Sequence, residues 1–311
     1  MREKTFKNLN EQIEILRDKG LVINYEEETR NVLLRENYFF ISGYRYLFLD
    51  NSKSGKKFLP GTTFEELYAM FLFDRHLRNI LFKYLLIIEN NIKSIISYQL
   101  SKRYGFKESD YLSPRNFTQD NLKVRQVKDV LNKMRRQVSI NSKKHSATLH
   151  YLNNYGYIPM WIMVKVLSFG IISELYDILK PEDQLRIADI YGLKIETLEI
   201  YLGLLANFRN LCAHEDILYD HKTQRAIPND KIHAILNIEQ DDFGYIYGKD
   251  DLFALIIIMK YMLTEDEFKD LINEISYEID ILDGKVDVIP LKYILNRIGF
   301  PDNWKDITSI D

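Results

Sequence analysis

Apolar residues recur at spacings of three and four over most of the chain, which is the pattern of amphipathic helices. The clearest stretch runs from Phe64 to about Lys102 and contains neither proline nor glycine. Thr63 and Glu66 precede its apolar positions in the spacing of a capping box, a signal for a helix N-terminus. We therefore predict one very long amphipathic helix here, or two helices joined by a kink.

Shorter helices are predicted on both sides of it, over residues 10–19, 26–35, 127–138, 160–179, 181–191 and 195–214. Residues 37–46 form an aromatic-rich segment that is read as a compact turn. Its rings could stack on RNA bases, but aromatic side chains at this density are more typical of a core. We therefore expect this segment in the core.

Composition agrees with a helical fold. The chain has 13 glycines and 7 prolines among 311 residues, about half the usual share, whereas turn-dense β folds need more of both. No fixed-period repeat is present. We predict an all-α protein with an N-terminal helical and aromatic segment (1–60), a helical bundle (61–220) and an acidic C-terminal helical region (221–311). Whether this last region is a separate lobe or a cap over the bundle stays open.

Charge is distributed unevenly, although the net charge is only −3. Residues 239–287 carry fourteen acidic side chains and four lysines, while residues 121–145 carry eight basic side chains and one aspartate. Such a basic stretch is either a track for the RNA backbone or a solvated helix face. The candidate RNA-binding residues are Lys123, Arg125, Lys128, Lys133, Arg135, Arg136, Lys143 and Lys144.

Several classes of site and location are not indicated. A single cysteine, Cys212, excludes an intramolecular disulfide and a cysteine-rich zinc site, and we expect it to be a small buried hydrophobe. The histidines show no HExxH pattern, so no metal and no cofactor are expected. The longest apolar run, 252–259, is far shorter than the ~20 residues that cross a bilayer. Together with a start that lacks a signal-peptide core, this predicts a soluble, cytoplasmic protein without a membrane partner.

The candidate chemistry lies at the end of the helix predicted over 195–214. Asn210 and His214 are i, i+4 neighbours on one helix face, and the long side chain of Arg209 can reach round to them. Arginine offers a planar fork that matches phosphate oxygens, and histidine exchanges a proton near neutral pH. This combination suits RNA cleavage without a metal, with Arg209 on the scissile phosphate, His214 as general acid/base and Asn210 as an orienting group.

The Arg-x4-His motif resembles the signature of the HEPN superfamily, and further blocks resemble the abortive-infection proteins of the AbiD/AbiF type. These blocks appear in family order at residues 38–44, 58–64, 73–78, 88–90, 158–161, 167–170 and 209–214. The pattern departs directly after the histidine, where Glu215-Asp216-Ile217 stands in place of another His or Asn and often a basic residue.

The resemblance implies a HEPN-type helical bundle and a metal-independent endoribonuclease, commonly a homodimer in which two Arg/His motifs form one cleft. It also implies a toxin-like protein that an antitoxin or a small regulatory RNA holds in check. Arg78 and Glu89 match family positions and are possible cleft residues. The local alternative is that Asp74–Arg78 and Glu89–Lys93 are surface i, i+4 ion pairs.

The competing hypothesis for function is a non-catalytic RNA-binding or dimerisation module on the same scaffold. In that case the basic stretch carries the affinity, charge reversal at Arg135 and Arg136 removes function, and changes at His214 are silent. A purely structural helical protein predicts neither effect.

Overall fold

The structure is a computed structural model that describes residues 5–50, 57–142 and 144–310. Within these ranges the predicted all-α fold is confirmed. The helices are α1 Leu9–Asp18, α2 Glu26–Glu36, α3 Tyr38–Ser42, α4 Phe64–Tyr104, α5 Glu108–Tyr111, α6 Val124–Asn141, α7 Ser146–Tyr155, α8 Met160–Val166, α9 Phe169–Asp177, α10 Pro181–Ala188, α11 Ile195–Ala213, α12 Lys231–Ile235, α13 Leu252–Met262, α14 Glu265–Asp283 and α15 Leu291–Ile298.

Short segments of other structure connect these helices. Four 3₁₀ turns lie at Gly43–Phe48, Pro114–Asn116, Asp189–Tyr191 and Trp304–Ser309. Two short antiparallel strands, β1 Gln240–Asp241 and β2 Gly244–Tyr245, form a hairpin with Gln240 opposite Tyr245.

Helix α4 is the axis of the fold. It is one continuous helix of 41 residues, which corresponds to a length of about 60 Å. The predicted capping box is present: the Glu66 amide donates to Thr63 Oγ1 at 3.2 Å, and the Thr63 amide donates to Glu66 Oε2 at 2.9 Å. Helices α8, α11 and α14 pack along α4 and cover its apolar positions.

The prediction of one helix over 160–179 is wrong. The chain turns to an extended conformation at Leu167 and Ser168, which separates α8 from α9. The Ser168 hydroxyl then accepts a hydrogen bond from the Ile171 amide at 3.4 Å and caps α9. Apolar spacing continues across this break, so periodicity alone hides it, whereas a serine before an apolar helical run is an N-cap signal.

The aromatic segment 37–46 is core only in part. Ile41 and Tyr44 are buried, as predicted. Phe39, Phe40 and Tyr46 are exposed, with 76% of the Phe39 surface open to solvent, so the core prediction is wrong for these three rings. Segment 38–48 forms α3 and a 3₁₀ turn, so its side chains point in several directions. Tyr44 and Phe48 therefore reach the core, while Phe39, Phe40 and Tyr46 face solvent.

The acidic C-terminal region contributes α14 to the surface of α4. Glu274 accepts hydrogen bonds from Lys83 Nζ at 2.6 Å and from the Tyr84 hydroxyl at 2.8 Å. His76 Nδ1 and Glu278 Oε2 are 2.8 Å apart. Some of the acidic side chains of this region therefore form ion pairs or hydrogen bonds with side chains of α4.

Candidate active site

Helix α11 carries Arg209, Asn210 and His214 at its C-terminal end. Its apolar side, including Leu202, Leu205 and Phe208, is buried against α4 and α9. Asn210 and His214 are exposed, and the Arg209 side chain is about one-third exposed at 29%. His214 is the C-cap residue, and its amide donates to the Asn210 carbonyl at 3.0 Å. Two polar groups of the motif are thus open to solvent beside a partly exposed guanidinium.

The turn after His214 holds a non-glycine residue in the left-handed region. Glu215 has φ 57°, and the Asp216 amide donates to the Leu211 carbonyl at 3.2 Å, a bond from the sixth residue to the first that is typical of a Schellman motif. Glycine is the usual residue at this position because a Cβ is disfavoured there. The departure from the family pattern at Glu215 therefore coincides with backbone strain.

We expect Glu215→Gly to raise the free energy of unfolding by up to about 1 kcal/mol. Glycine removes a left-handed penalty of about 1–2 kcal/mol, and the greater freedom of the unfolded glycine chain offsets part of the gain. Urea denaturation measures the change. Gly192→Ala is the reciprocal control: Gly192 also follows a helix, has φ 64° and no atom within 4 Å of an added Cβ, and its variant should lose stability. A less stable Glu215→Gly protein would contradict the strain argument.

Arg209 is held by a carboxylate from α4. Its Nε donates to Glu89 Oε2 at 3.1 Å, and its Cζ lies 5.6 Å from the centre of the Phe82 ring. Glu89 Oε1 accepts a second hydrogen bond, from Lys93 Nζ at 2.7 Å. Within the described part of the chain, neither Nη1 nor Nη2 of Arg209 donates a hydrogen bond. The flat outer edge of the guanidinium is therefore available for a bidentate anion such as a phosphate.

The expected Glu89–Lys93 pair is present, but it is not an ordinary surface pair. Glu89 is buried, and it serves two cations from two helices. The structure thus brings Glu89, one of the possible cleft residues, into contact with both Arg209 and Lys93.

Asp74 and Arg78 form a buried ion pair, so the expectation of a surface pair is wrong. Asp74 is fully buried and Arg78 is 3% exposed, because α4 is covered here by segment 43–48 and by the chain after α11. Arg78 also donates to the Asp216 carbonyl at 3.2 Å. It therefore lies beneath the turn that follows His214 and does not contact Arg209.

Asp74, on the buried side, also holds the chain that follows His214. It accepts hydrogen bonds from the Tyr44 hydroxyl at 2.7 Å and from the amides of Leu218 at 3.1 Å and Tyr219 at 2.8 Å. Burial raises the pKa of this carboxyl, while the Arg78 cation and the three neutral donors act in the opposite direction. The network joins the aromatic segment, α4 and the chain beyond His214.

The basic stretch is partly neutralised. Lys123 pairs with Asp177, and Lys133 Nζ lies 2.6 Å from Glu174, both on α9. Arg135 donates to the carbonyl of Leu112 at 3.2 Å. Arg125, Lys128, Arg136 and Lys144 are exposed, and Lys143 lies outside the described residues.

Cys212 is buried, as predicted. Burial raises the pKa of its thiol to about 12, so the thiolate needed for a nucleophile is scarce at neutral pH. In the described ranges, no three side chains of His, Cys, Asp or Glu form a group suited to a metal ion, and no helix combines the length and apolar character that a bilayer span requires.

A cavity of about 490 Å³ adjoins the Arg209 site through Glu89, which both lines the cavity and holds Arg209. No pattern in the sequence predicts a binding site there. It is bordered by Glu89 and Lys93 of α4, by His145, and by Trp161 and Lys165 of α8. In the sequence, Trp161 stands out only as part of the block 158–161. No spacing rule brings residues 145 and 161–165 to the middle of α4, because tertiary packing alone places them there.

Comparison with known proteins yields one family. The model of a family described as Abi-like protein matches residues 31–220, more than half of the chain. These residues include α4 and α11 with the whole Arg209–His214 motif. No curated protein and no solved structure gives a significant match.

Proposed function

Because the chain belongs to the Abi-like protein family, we propose that it is a phage-defence protein of the AbiD/AbiF type whose HEPN-type bundle cleaves RNA without a metal. The family itself supports a role in abortive infection. The cleavage reaction is the finer proposal, and it rests on the residues at the end of α11.

One observation carries the proposal. Arg209 is anchored through Nε to the buried Glu89, so its two terminal nitrogens are free of protein partners in the described ranges, and the exposed His214 follows five residues later. An anchored guanidinium loses less conformational entropy when it binds a phosphate. The exposed His214 is the residue to which we assign proton transfer to and from a phosphodiester held there.

The proposed reaction is transesterification at phosphorus. The 2′-hydroxyl of the RNA attacks the adjacent phosphorus, its proton passes to a neutral His214 imidazole, and the bond to the 5′-oxygen breaks. Arg209 stabilises the negative charge that develops on the phosphorane oxygens, and the Asn210 amide orients the phosphate or the imidazole. The products are a 2′,3′-cyclic phosphate and a 5′-hydroxyl, with the leaving oxygen protonated by a second acid.

A homodimer supplies that second acid. In the arrangement that the family resemblance implies, two copies of α11 face one cleft, so one His214 acts as base and the other as acid. The exposure of Asn210 and His214 is compatible with this pairing. We also propose, on the resemblance, that an antitoxin or a small RNA restrains the activity until infection.

The proposal predicts a loss of defence when Arg209 is removed. Cells that express the wild-type protein should reduce phage yield and degrade RNA after infection, and Arg209→Ala should abolish both effects. Arg186→Ala is the matched control, since Arg186 is an exposed arginine on α10. Phage plating and RNA integrity profiles give the readout.

The same experiment distinguishes RNA cleavage from the competing hypothesis of a non-catalytic binding module. Defence that survives Arg209→Ala but disappears after charge reversal at Arg135 and Arg136 would instead favour a binding module without catalysis. Equal defence in all variants would contradict both accounts.

A further inference from the structure

The cavity beside Glu89 has the composition of a nucleotide site. It lies where the middle of α4 meets α8 and the start of α7, and its volume is about 490 Å³. The side chains that matter for recognition are Glu89, Asn90, Lys93, His145, Trp161 and Lys165. They combine one large aromatic face with cations and with amide and imidazole groups, which is more polar than a typical pocket for an apolar ligand.

The electrostatics of the cavity favour an anion. Glu89 is the acidic residue among those that line the cavity in the described part of the chain, and it is paired with both Lys93 and Arg209. Lys165 is exposed at the rim, and His145 lies at the α7 end with its Nδ1 3.3 Å from the Thr148 hydroxyl. The negative charge of Glu89 is therefore balanced by its two cationic partners, and Lys165 gives the cavity a net positive charge.

An aromatic surface continues from the cavity. Trp161 is 43% exposed, and its ring centre lies 5.5 Å from that of Phe106. Phe106 in turn neighbours Tyr157 at 5.7 Å, and Tyr157 neighbours Tyr155 at 6.4 Å. Lys107 Nζ lies 5.0 Å from the Tyr157 ring centre. Exposed rings interleaved with lysines are typical of surfaces that bind single-stranded nucleic acid.

We propose that this cavity is a subsite for single-stranded RNA, in which a base stacks on Trp161 and an adjacent phosphate binds Lys165 and Lys93. The inference rests on the proposed function and extends it to the class of substrate. Glu89 connects the two sites, because one of its oxygens faces Lys93 in the cavity and the other holds Arg209. A strand seated in the cavity therefore continues toward Arg209, with the stacked nucleotide flanking the scissile phosphate.

Charge also argues against a second copy of the chain as the occupant. In a twofold interface the same patch meets itself, so a surface with excess positive charge would meet an equally positive surface. Like charges that meet across an interface cost affinity. A flexible single strand supplies bases that can stack on these rings and phosphates whose negative charge complements the lysines.

The test is RNA binding by protein that carries His214→Ala, so that cleavage of the probe is slowed about 10²- to 10⁴-fold. A fluorescent single-stranded oligouridylate is the probe, and a duplex of the same length is the comparison. We expect Trp161→Ala to weaken binding of the single strand about 5- to 150-fold, the range for loss of one stacked base, and Trp161→Phe to retain most of the affinity. Tyr277→Ala is the matched control, because Tyr277 is an exposed ring on α14.

Intrinsic fluorescence gives a second readout. The chain has two tryptophans, and Trp304 is buried while Trp161 is exposed. A base stacked on Trp161 should quench its emission, and Trp161→Phe should lose that quenching while it still binds RNA. Lys165→Glu provides a variant at an exposed position. It should weaken binding and make the loss of affinity with salt shallower, because one fewer phosphate contact releases counterions.

Several results would overturn the subsite. These are the absence of RNA binding, unchanged affinity in Trp161→Ala and Lys165→Glu, equal affinity for the duplex, or a change of oligomeric state in Trp161→Ala without a change in RNA affinity. The last result would identify a second copy as the occupant. Failure of the proposed function is distinguishable, because it would show as Trp161-dependent binding with no cleavage by the wild-type protein.

Discussion

The His214→Ala protein is expected to cleave RNA about 10²- to 10⁴-fold more slowly than the wild-type protein, because it lacks the group to which we assign proton transfer. Its fold should be unaffected. His214 is exposed and makes its hydrogen bond to Asn210 through the backbone amide, which alanine retains. The free energy of unfolding should therefore change by no more than about 0.5 kcal/mol, the usual range for surface substitutions.

The matched control for this prediction is His76→Ala. His76 is also a partly exposed histidine, but it lies on α4 and faces Glu278 of α14. Cleavage rates at saturating RNA, together with circular dichroism of each protein, separate loss of chemistry from loss of fold. A folded His214→Ala protein with the wild-type rate would contradict the role of His214 as acid/base.

Removal of Asp74 is expected to cause the largest loss of stability. Asp74→Ala leaves the Arg78 cation buried without its partner and takes the acceptor from the Tyr44 hydroxyl and from the amides of Leu218 and Tyr219. Breaking one side of a buried ion pair typically costs about 3–5 kcal/mol. The turn after His214 should loosen as well, so cleavage should fall in protein that remains folded.

Two variants sharpen this prediction. Asp270→Ala removes an exposed carboxylate from α14 and should be nearly neutral. The double variant Asp74→Ala with Arg78→Met should recover part of the loss, since no unpaired charge then remains buried. Urea unfolding of the four proteins gives the comparison, and an Asp74→Ala protein within about 1 kcal/mol of the wild type would contradict a stabilising role for the Asp74 network.

Local signals in the sequence predict much of the helical framework. The spacing of apolar residues over 64–102 and the capping pair of Thr63 and Glu66 are enough to place α4, because both act within a few residues along the chain. Apolar spacing does not reveal the break between α8 and α9, because Ser168 interrupts the helical backbone without interrupting the apolar pattern. The signal for this break is Ser168 itself, because a serine before an apolar helical run is typical of a helix N-cap.

The surroundings of the candidate site depend on contacts between distant residues. Glu89 and Arg209 are 120 positions apart, and only the packing of α11 on α4 brings them together. The same holds for Trp161 beside Lys93, and for Asp74 beneath Leu218 and Tyr219. The Arg209–His214 motif is visible in the sequence because it lies on one helix, whereas its carboxylate anchor carries no spacing signal.

Product analysis of purified protein acting on RNA in the presence of EDTA is the most direct test of the central claim. The account predicts cleavage by the wild-type protein that leaves 2′,3′-cyclic phosphate and 5′-hydroxyl ends, and cleavage at least about 10²-fold slower by Arg209→Ala and by His214→Ala. Cleavage that requires a divalent metal, leaves other ends, or keeps the wild-type rate in both variants would contradict an RNA-cleaving centre at the end of α11.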